Sequence, residues 1–423
     1  MWYCRTRVGI LVRVSQSSSL AAYRTALTTP GSGKPLFASV LARLPIAMIG
    51  LSALLYVQRE TGSFTAAGLV SAGSLVGVSI GAIVQGRLID RYGPTRPLLV
   101  TVALFALAMT ALSLAIEAHL STGLLMVLGG GIGITEPMVG SASRALWSRL
   151  VTDESAKNAA FSYEAISMEV FFILGPGLAG LLVTAPWPGT GMVAGGLCMV
   201  LGATLFALSP AVRAWGPAPA GPRPLLGALA SPGLRTLAVA ALGFGIVVGF
   251  VEVAVPAAAT AAGRPALGGV LLSLWSVGSV AFGVAYSLYP WPRRMSSRLP
   301  VLLTLFGLFV ALLAWPSTLW GLAVTMILAG AAITPQSATH SAAIELVAPE
   351  GTAAEAFGWV LTAVTLGLAA GQSVSGYLVE HGGPGISFLV AGATAVVAAG
   401  LVWARRHTMP DHVSAPVPDQ VAV

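Results

Sequence analysis

The sequence predicts an all-α membrane protein of twelve spanning helices, arranged as two pseudo-symmetric six-helix bundles. Three observations carry that prediction: a composition too apolar for water, twelve apolar runs of spanning length, and weak duplication between the halves of the chain. Of 423 residues, 56% are hydrophobic and only 9% are charged. Mean hydropathy is +0.85. Soluble domains run nearer ~45–50% apolar and ~25% charged. Too few polar residues remain to coat a water-facing surface, so lipid must cover part of it.

A spanning helix needs ~20 mostly apolar residues. Six such runs precede the midpoint: 36–57, 65–88, 97–117, 122–146, 158–183 and 190–210. Six follow: 234–257, 267–289, 300–316, 318–340, 353–379 and 384–404. The runs are continuous, without ten-residue alternation, which favours helices over barrel strands. Between the sixth and seventh lies SPAVRAWGPAPAGPRPLLGALASPGLR, rich in Pro and Gly. It reads as a linker. The expected organisation is a tail (1–35), a bundle (36–210), the linker (211–233), a second bundle (234–404) and a tail (405–423). In the first 19 residues VGILV is too short for the apolar core of a signal peptide and Arg13 interrupts it, so this stretch reads as a disordered tail.

Two matches support duplication. ALTTPG at 26–31 recurs as ALASPG at 228–233. Ala160-Phe161, Gly175, Gly180 and Leu182-Val183 recur as Ala356-Phe357, Gly371, Gly376 and Leu378-Val379. The matches keep chain order at similar offsets, as parallel repeats about an axis normal to the membrane would.

Charge sets the expected orientation. With the N-terminus inside, the cytoplasmic segments hold all of the 22 basic residues except Arg43, Arg59 and Arg264. Such a bias places both termini in the cytoplasm. The net charge of +7 is spread singly and in pairs between apolar runs, with no basic stripe interleaved with aromatics, which excludes a nucleic-acid partner. The histidines at 119, 340, 381, 407 and 412 are scattered and read as loop or solvated residues, while Cys4 and Cys198 make neither a disulfide framework nor a metal site. GSGK at 31–34 lacks a P-loop: Thr28 stands where a glycine is needed, and Pro35 where Ser or Thr is needed. The glycines of GGGIGITEP (129–137) lie inside a spanning run and read as helix packing. No ATP site, metal, cofactor or catalytic constellation is expected. The chain is not expected to be an enzyme.

Between the second and third runs stands GRLIDRYGPTR, residues 86–96, with four charges in eleven residues. Gly86, Asp90, Arg91 and Gly93, followed by Arg96, resemble the cytoplasmic signature of the major facilitator superfamily. The resemblance covers about residues 20–405. It implies secondary transport by alternating access, with a proton gradient as energy source. It further implies that Asp90 latches the bundles together through the start of the eleventh helix, near Ala353. Elementary physics suits the place, since an acid is favoured at a positive helix N-terminus and Gly93 can turn the chain at φ > 0. In the fifth run, Gly175, Pro176 and Gly180 of LGPGLAG resemble part of a drug–proton antiporter signature, with Phe171 in place of an upstream glycine.

Ionisable residues inside spans are expensive, ~2.5–3.5 kcal/mol at a helix centre, and are functional candidates. They are Arg43, Glu136, Glu164, Glu169 and Glu252. At 1.5 Å per residue, Arg43 and Glu164 lie roughly 10 Å from the cytoplasmic ends of their helices, and Glu136 and Glu169 roughly 15 Å. The resemblance puts the first, fourth, seventh and tenth helices around a central cavity. Glu136 is then the first candidate for proton coupling, with Arg43 as its expected partner, Glu169 second, and Glu252 toward the outer mouth. A static ion pair between Arg43 and one Glu is the competing reading. The expected function is proton-coupled export of small amphipathic molecules across a bacterial inner membrane, by a monomer in the lipid bilayer. The alternatives are import of a small metabolite, or a non-transporting membrane sensor or enzyme.

Overall fold

The computed structural model describes residues 20–216, 227–288, 294–349 and 352–409, and among these the chain is helical with no strand. The first half contains α1 (Leu20–Leu27), α2 (Gly33–Thr61), α3 (Phe64–Tyr92), α4 (Thr95–Glu117), α5 (Thr122–Thr135), α6 (Val139–Leu150), α7 (Glu154–Leu182), α8 (Thr190–Leu208) and the short α9 (Pro210–Arg213). The second contains α10 (Pro232–Ala261), α11 (Ala266–Leu288), α12 (Met295–Ala311), α13 (Leu319–Gly330), α14 (Ile333–Val347) and α15 (Ala353–Ala404).

Among the described residues, eleven helical segments are long and apolar enough to cross a membrane. The last of them belongs to α15, whose 52 residues would extend ~78 Å against a hydrocarbon core of ~30 Å. It must cross twice. Its turning point is Gly383, at φ 79° and ψ 167°, a conformation that glycine alone adopts freely, and Pro384 opens the returning helix. Twelve spans result, divided between the expected runs 353–379 and 384–404.

Two expected runs are not single helices. The fourth divides into α5 and α6, and the tenth into α13 and α14. A proline explains each, since it lacks an N–H and its ring clashes with the carbonyl four residues before it. Pro137 pushes Glu136 to φ −55° and ψ 119°, the extended region imposed on a residue preceding proline. Pro335 acts more mildly. It falls in the first turn of α14, where its missing N–H costs no helical bond, and Ala331 and Ala332 stay near helical angles.

The expected N-terminal tail is partly folded. In α1, Ala26 is buried with Trp147, Val151, Ala156, Ala159 and Ala160, so residues 20–35 join the first bundle. Residues 1–19, the middle of the expected linker (217–226) and the last residues (410–423) lie outside the described ones.

The duplicated glycines show why the halves match. A Cβ on Gly175 would lie 2.8 Å from Ala47 of the first span, and one on its repeat Gly371 would strike the Ile246 carbonyl of the seventh. A Cβ on Gly180 would lie 2.9 Å from the Cα of Gly269 in the eighth span; one on Gly376 would strike the Phe64 carbonyl of the second. The fifth and eleventh spans therefore make the same two close approaches, one within their own bundle and one across to the other. Large apolar residues such as Leu107, Val127, Leu181, Val324 and Leu361 are exposed in numbers that only a lipid-facing surface accommodates.

Candidate functional site

We call the side on which the chain enters α2 the near side and the opposite one the far side. Most of the described contacts between bundles run along two helix pairs. On the far side, α3 meets α15 where Phe64 lies against Gly376, and Gly68 against the backbone of Gln372. In the other pair, Gly180 of α7 lies against Gly269 of α11, and Ser276 of α11 donates to the Phe172 carbonyl of α7 at 3.1 Å.

Glu380, on the eleventh span, completes the far-side seam. Its carboxylate accepts from the Ser63 hydroxyl at 2.7 Å and from the Thr65 backbone N–H at 2.9 Å. These groups begin α3, whose first N–H groups have no partners within the helix. An acid of one bundle thus caps a helix of the other. Two turns before Glu380 on the same helix, Gln372 donates to Glu252 at 2.7 Å, so Glu252 lies against the helix that forms this seam. Gly86, Asp90, Arg91, Gly93 and Arg96 lie at the opposite end of α3, about 33 Å along the helix from Gly68 to Asp90. Gly93 has φ 76°, the turn its residue type foretold, and Arg91 stacks over Tyr92.

Within the first bundle, Arg43 pairs with Glu164, both side chains being almost fully buried. Arg43 also donates to the Glu164 backbone carbonyl at 3.1 Å and lies over the Phe171 ring. The Ser143 hydroxyl (2.7 Å) and the Trp147 indole N–H (3.0 Å) donate to the other carboxylate oxygen. The expected pairing of Arg43 with Glu136 is corrected: Glu164 lies at the depth of Arg43, and Glu136 lies deeper. The first, fourth and fifth spans are tied together by this buried network.

Glu136 occupies the break between α5 and α6 and is half-buried. Its backbone is held by Gln85 of α3, whose amide donates to the carbonyls of Ile134 (3.0 Å) and Glu136 (2.8 Å) and accepts from the Met138 N–H at 3.1 Å. The opened backbone is satisfied, while the Glu136 carboxylate has no hydrogen bond or ion pair among the described residues. Glu169 is exposed on α7, one turn from Phe172 where the bundles meet.

The antiporter-like fragment lies at two close helix contacts. Gly175 faces the first span, while the Pro176 carbonyl and Gly180 face Gly269 across the bundle interface. Phe171, in place of the upstream glycine, supplies the ring under Arg43. Sequence reasoning missed the neutral members of the site, Gln85 and Gln372, and also Glu380. It misread His340, which is not solvated but 5% exposed, inside α14. His119, His381 and His407 are exposed as expected, and His412 lies outside the described residues.

The family model of the Major Facilitator Superfamily matches residues 36–304 and 291–422. The chain belongs to that superfamily. It is a membrane-embedded secondary transporter of the major facilitator type and not an enzyme. Among solved structures, the nucleoside transporter NupG (D323A mutant) superposes with a TM-score of 0.73 at 14% identity, covering 88% of this chain and 100% of that one. A bacterial homolog of the human lysosomal transporter Spinster, inward-facing and unoccupied, gives 0.69 at 13% identity over 94% and 100%. A bacterial homologue of the iron transporter ferroportin, inward-facing, gives 0.69 at 16% identity over 92% and 99%. These likenesses establish the major facilitator fold. No curated protein matches the chain.

Proposed function

We propose that this transporter exports small amphipathic molecules in exchange for protons, as a monomer in a bacterial inner membrane and without nucleotide. The observation that carries proton coupling is Glu136, an unpartnered carboxylate at the break of the fourth span. Water favours the charged form of a carboxylate and a low-dielectric surrounding penalises it. A carboxylate that alternates between the two therefore takes up and releases a proton. The charge of Arg43 is already met by Glu164, although its Nε has no hydrogen-bond partner among the described residues, and Arg43 is a static element in this account. Glu169, exposed on α7, is the second coupling candidate.

The basic residues put the near side in the cytoplasm, which makes the far-side seam the outer gate. Glu380 holds that gate, and Asp90 closes the cytoplasmic side in the opposite state by meeting the start of the eleventh span. Each is an acid at one end of a helix pair, and each finds the partner's N-terminus. Labelling single cysteines at positions 62 and 217 tests the orientation: 62 should react from outside and 217 from the cytoplasm, and the reverse would overturn it.

Export rests on the resemblance of Gly175, Pro176 and Gly180 to the antiporter signature. In vesicles with the near side facing the bath, an acid lumen should drive labelled chloramphenicol, a neutral amphipathic probe, inward while protons leave. Outward movement of the probe would favour import of a small metabolite. Absence of flux with and without the gradient would remove the amphipathic-substrate reading.

A further inference from the structure

The tenth span carries polar groups that the coupling account does not use. One residue after Pro335, Gln336 is fully buried, and neither its amide nitrogen nor its oxygen has a partner. One turn on, His340 is 5% exposed with Nε2 unpartnered. Trp275, on the eighth span, is 6% exposed, and its indole N–H is unpartnered too. Buried polar groups are ordinarily hydrogen-bonded. Four unpartnered atoms on three side chains, each more than nine-tenths buried, call for an explanation.

A chain of ring contacts links Trp275 to His340, and Gln336 lies one turn before His340 on α14. Trp275 stacks on Phe306, with centroids 6.3 Å apart and planes at 11°. Phe306 lies 5.3 Å from Phe244, and Phe244 lies 6.1 Å from the His340 ring. The seventh to tenth spans each contribute. A Cβ on Gly330 would strike the Trp275 carbonyl and lie 3.0 Å from Cδ1 of its ring, so the end of α13 rests on the backbone and ring edge of Trp275.

We propose that this cluster binds an uncharged, hydrogen-bonding group of an aromatic or otherwise flat apolar molecule, such as an amide or a hydroxyl. The proposal deepens the transporter reading, on which it rests, by naming the chemistry of the substrate. His340 Nδ1 lies 3.0 Å from the Gln336 carbonyl, so that nitrogen carries the proton and Nε2 is left as an acceptor. Trp275 offers one donor, and the Gln336 amide offers donors and an acceptor. The set is balanced and neutral. A cation would meet the indole N–H, and an anion would meet the Nε2 lone pair. An amide or hydroxyl satisfies donors and acceptors together, and the rings of Phe244, Phe306 and Trp275 take an apolar body. Ordered water is the other occupant such a site admits.

The test is equilibrium binding to the purified full-length protein without any gradient, so that it is independent of coupling and of direction. The probes are chloramphenicol, benzamide and 2-phenylethanol, which are neutral, with tetraphenylphosphonium as the cation and benzoate as the anion. We expect saturable binding of at least one neutral probe. It should weaken about tenfold or more in Gln336→Met, which removes the amide at nearly constant shape, and in Trp275→Phe, which removes the indole N–H and leaves a smaller ring. Leu107→Ala, on the lipid-facing surface, should leave it unchanged. Monodispersity of each variant on size exclusion and its thermal midpoint separate lost binding from lost folding. Failure of every neutral probe to bind saturably would overturn the proposal. So would affinities equal in wild type and both variants, which would leave the cluster as a water site, and so would preferred binding of either charged probe.

Discussion

The breaks in the fourth and tenth spans stand at related places in the two bundles and are treated oppositely. Each has Ile-Thr just ahead of proline, as ITEP at 134–137 and ITP at 333–335. In the fourth span the backbone opens fully, and Gln85 closes three of its hydrogen bonds. In the tenth the backbone barely opens, Thr334 pairs with Ser279 at 2.7 Å, and the glutamine beside the break has no partner. Discontinuous spans in corresponding positions of two repeats mark transporter binding sites. The contrast suggests a division of labour, with an acid presented from a braced break in one bundle and neutral polar groups held ready in the other.

The charges divide the same way. The first bundle buries Arg43 with Glu164; the repeat offset puts Val360, an apolar residue, opposite Glu164. Removing one member of a buried pair typically costs ~3–5 kcal/mol, while replacing both with apolar residues of similar volume is often neutral. Arg43→Met alone should therefore give the largest loss of thermal stability in detergent, and Arg43→Met with Glu164→Leu should recover most of it. A double variant no more stable than the single would mean that the network does not act as a pair.

The next effect separates the two breaks. Gln85→Met strands three backbone groups, at ~1–3 kcal/mol for each buried one left unmet, and should lower the thermal midpoint. Gln336→Met removes only unpartnered atoms and should leave the midpoint unchanged or raise it. Equal losses from both would erase the distinction drawn here.

The smallest effect concerns the gates. Glu380→Gln loosens an exposed acid from a helix N-terminus, worth ~0.3–1 kcal/mol, and should shift the population of the far-side-closed state by at most about fivefold. Asp90→Asn should shift it the other way. Distances between spin labels on the two bundles would read both, and shifts of the same sign would break the reciprocity.

Much of the fold was legible because lipid imposes it. Twelve runs, a Pro/Gly-rich middle and repeated glycines follow from the need to hide backbone and to bring helices close. The breaks were less legible, because Pro137 and Pro335 sit inside apolar runs that hydropathy reads as continuous. The partner of Arg43 was within reach, since the depth of Glu164 matched and that of Glu136 did not. What depth does not give is rotation about the helix axis, and rotation turns Glu164 inward. Gln85, Gln336 and Gln372 escaped because only formal charges were weighed, although a buried amide constrains its surroundings nearly as strongly; His340 was misread because it stands at the very end of its apolar run.

The central claim is that Glu136, freed by Pro137 and braced by Gln85, carries the coupled proton. Glu136→Gln in vesicles with an imposed pH gradient tests it most directly, with wild type alongside and labelled chloramphenicol as probe. The account predicts that gradient-driven accumulation is abolished while binding and probe-for-probe exchange persist. Accumulation against the gradient at the wild-type rate would contradict it and pass the role to Glu169.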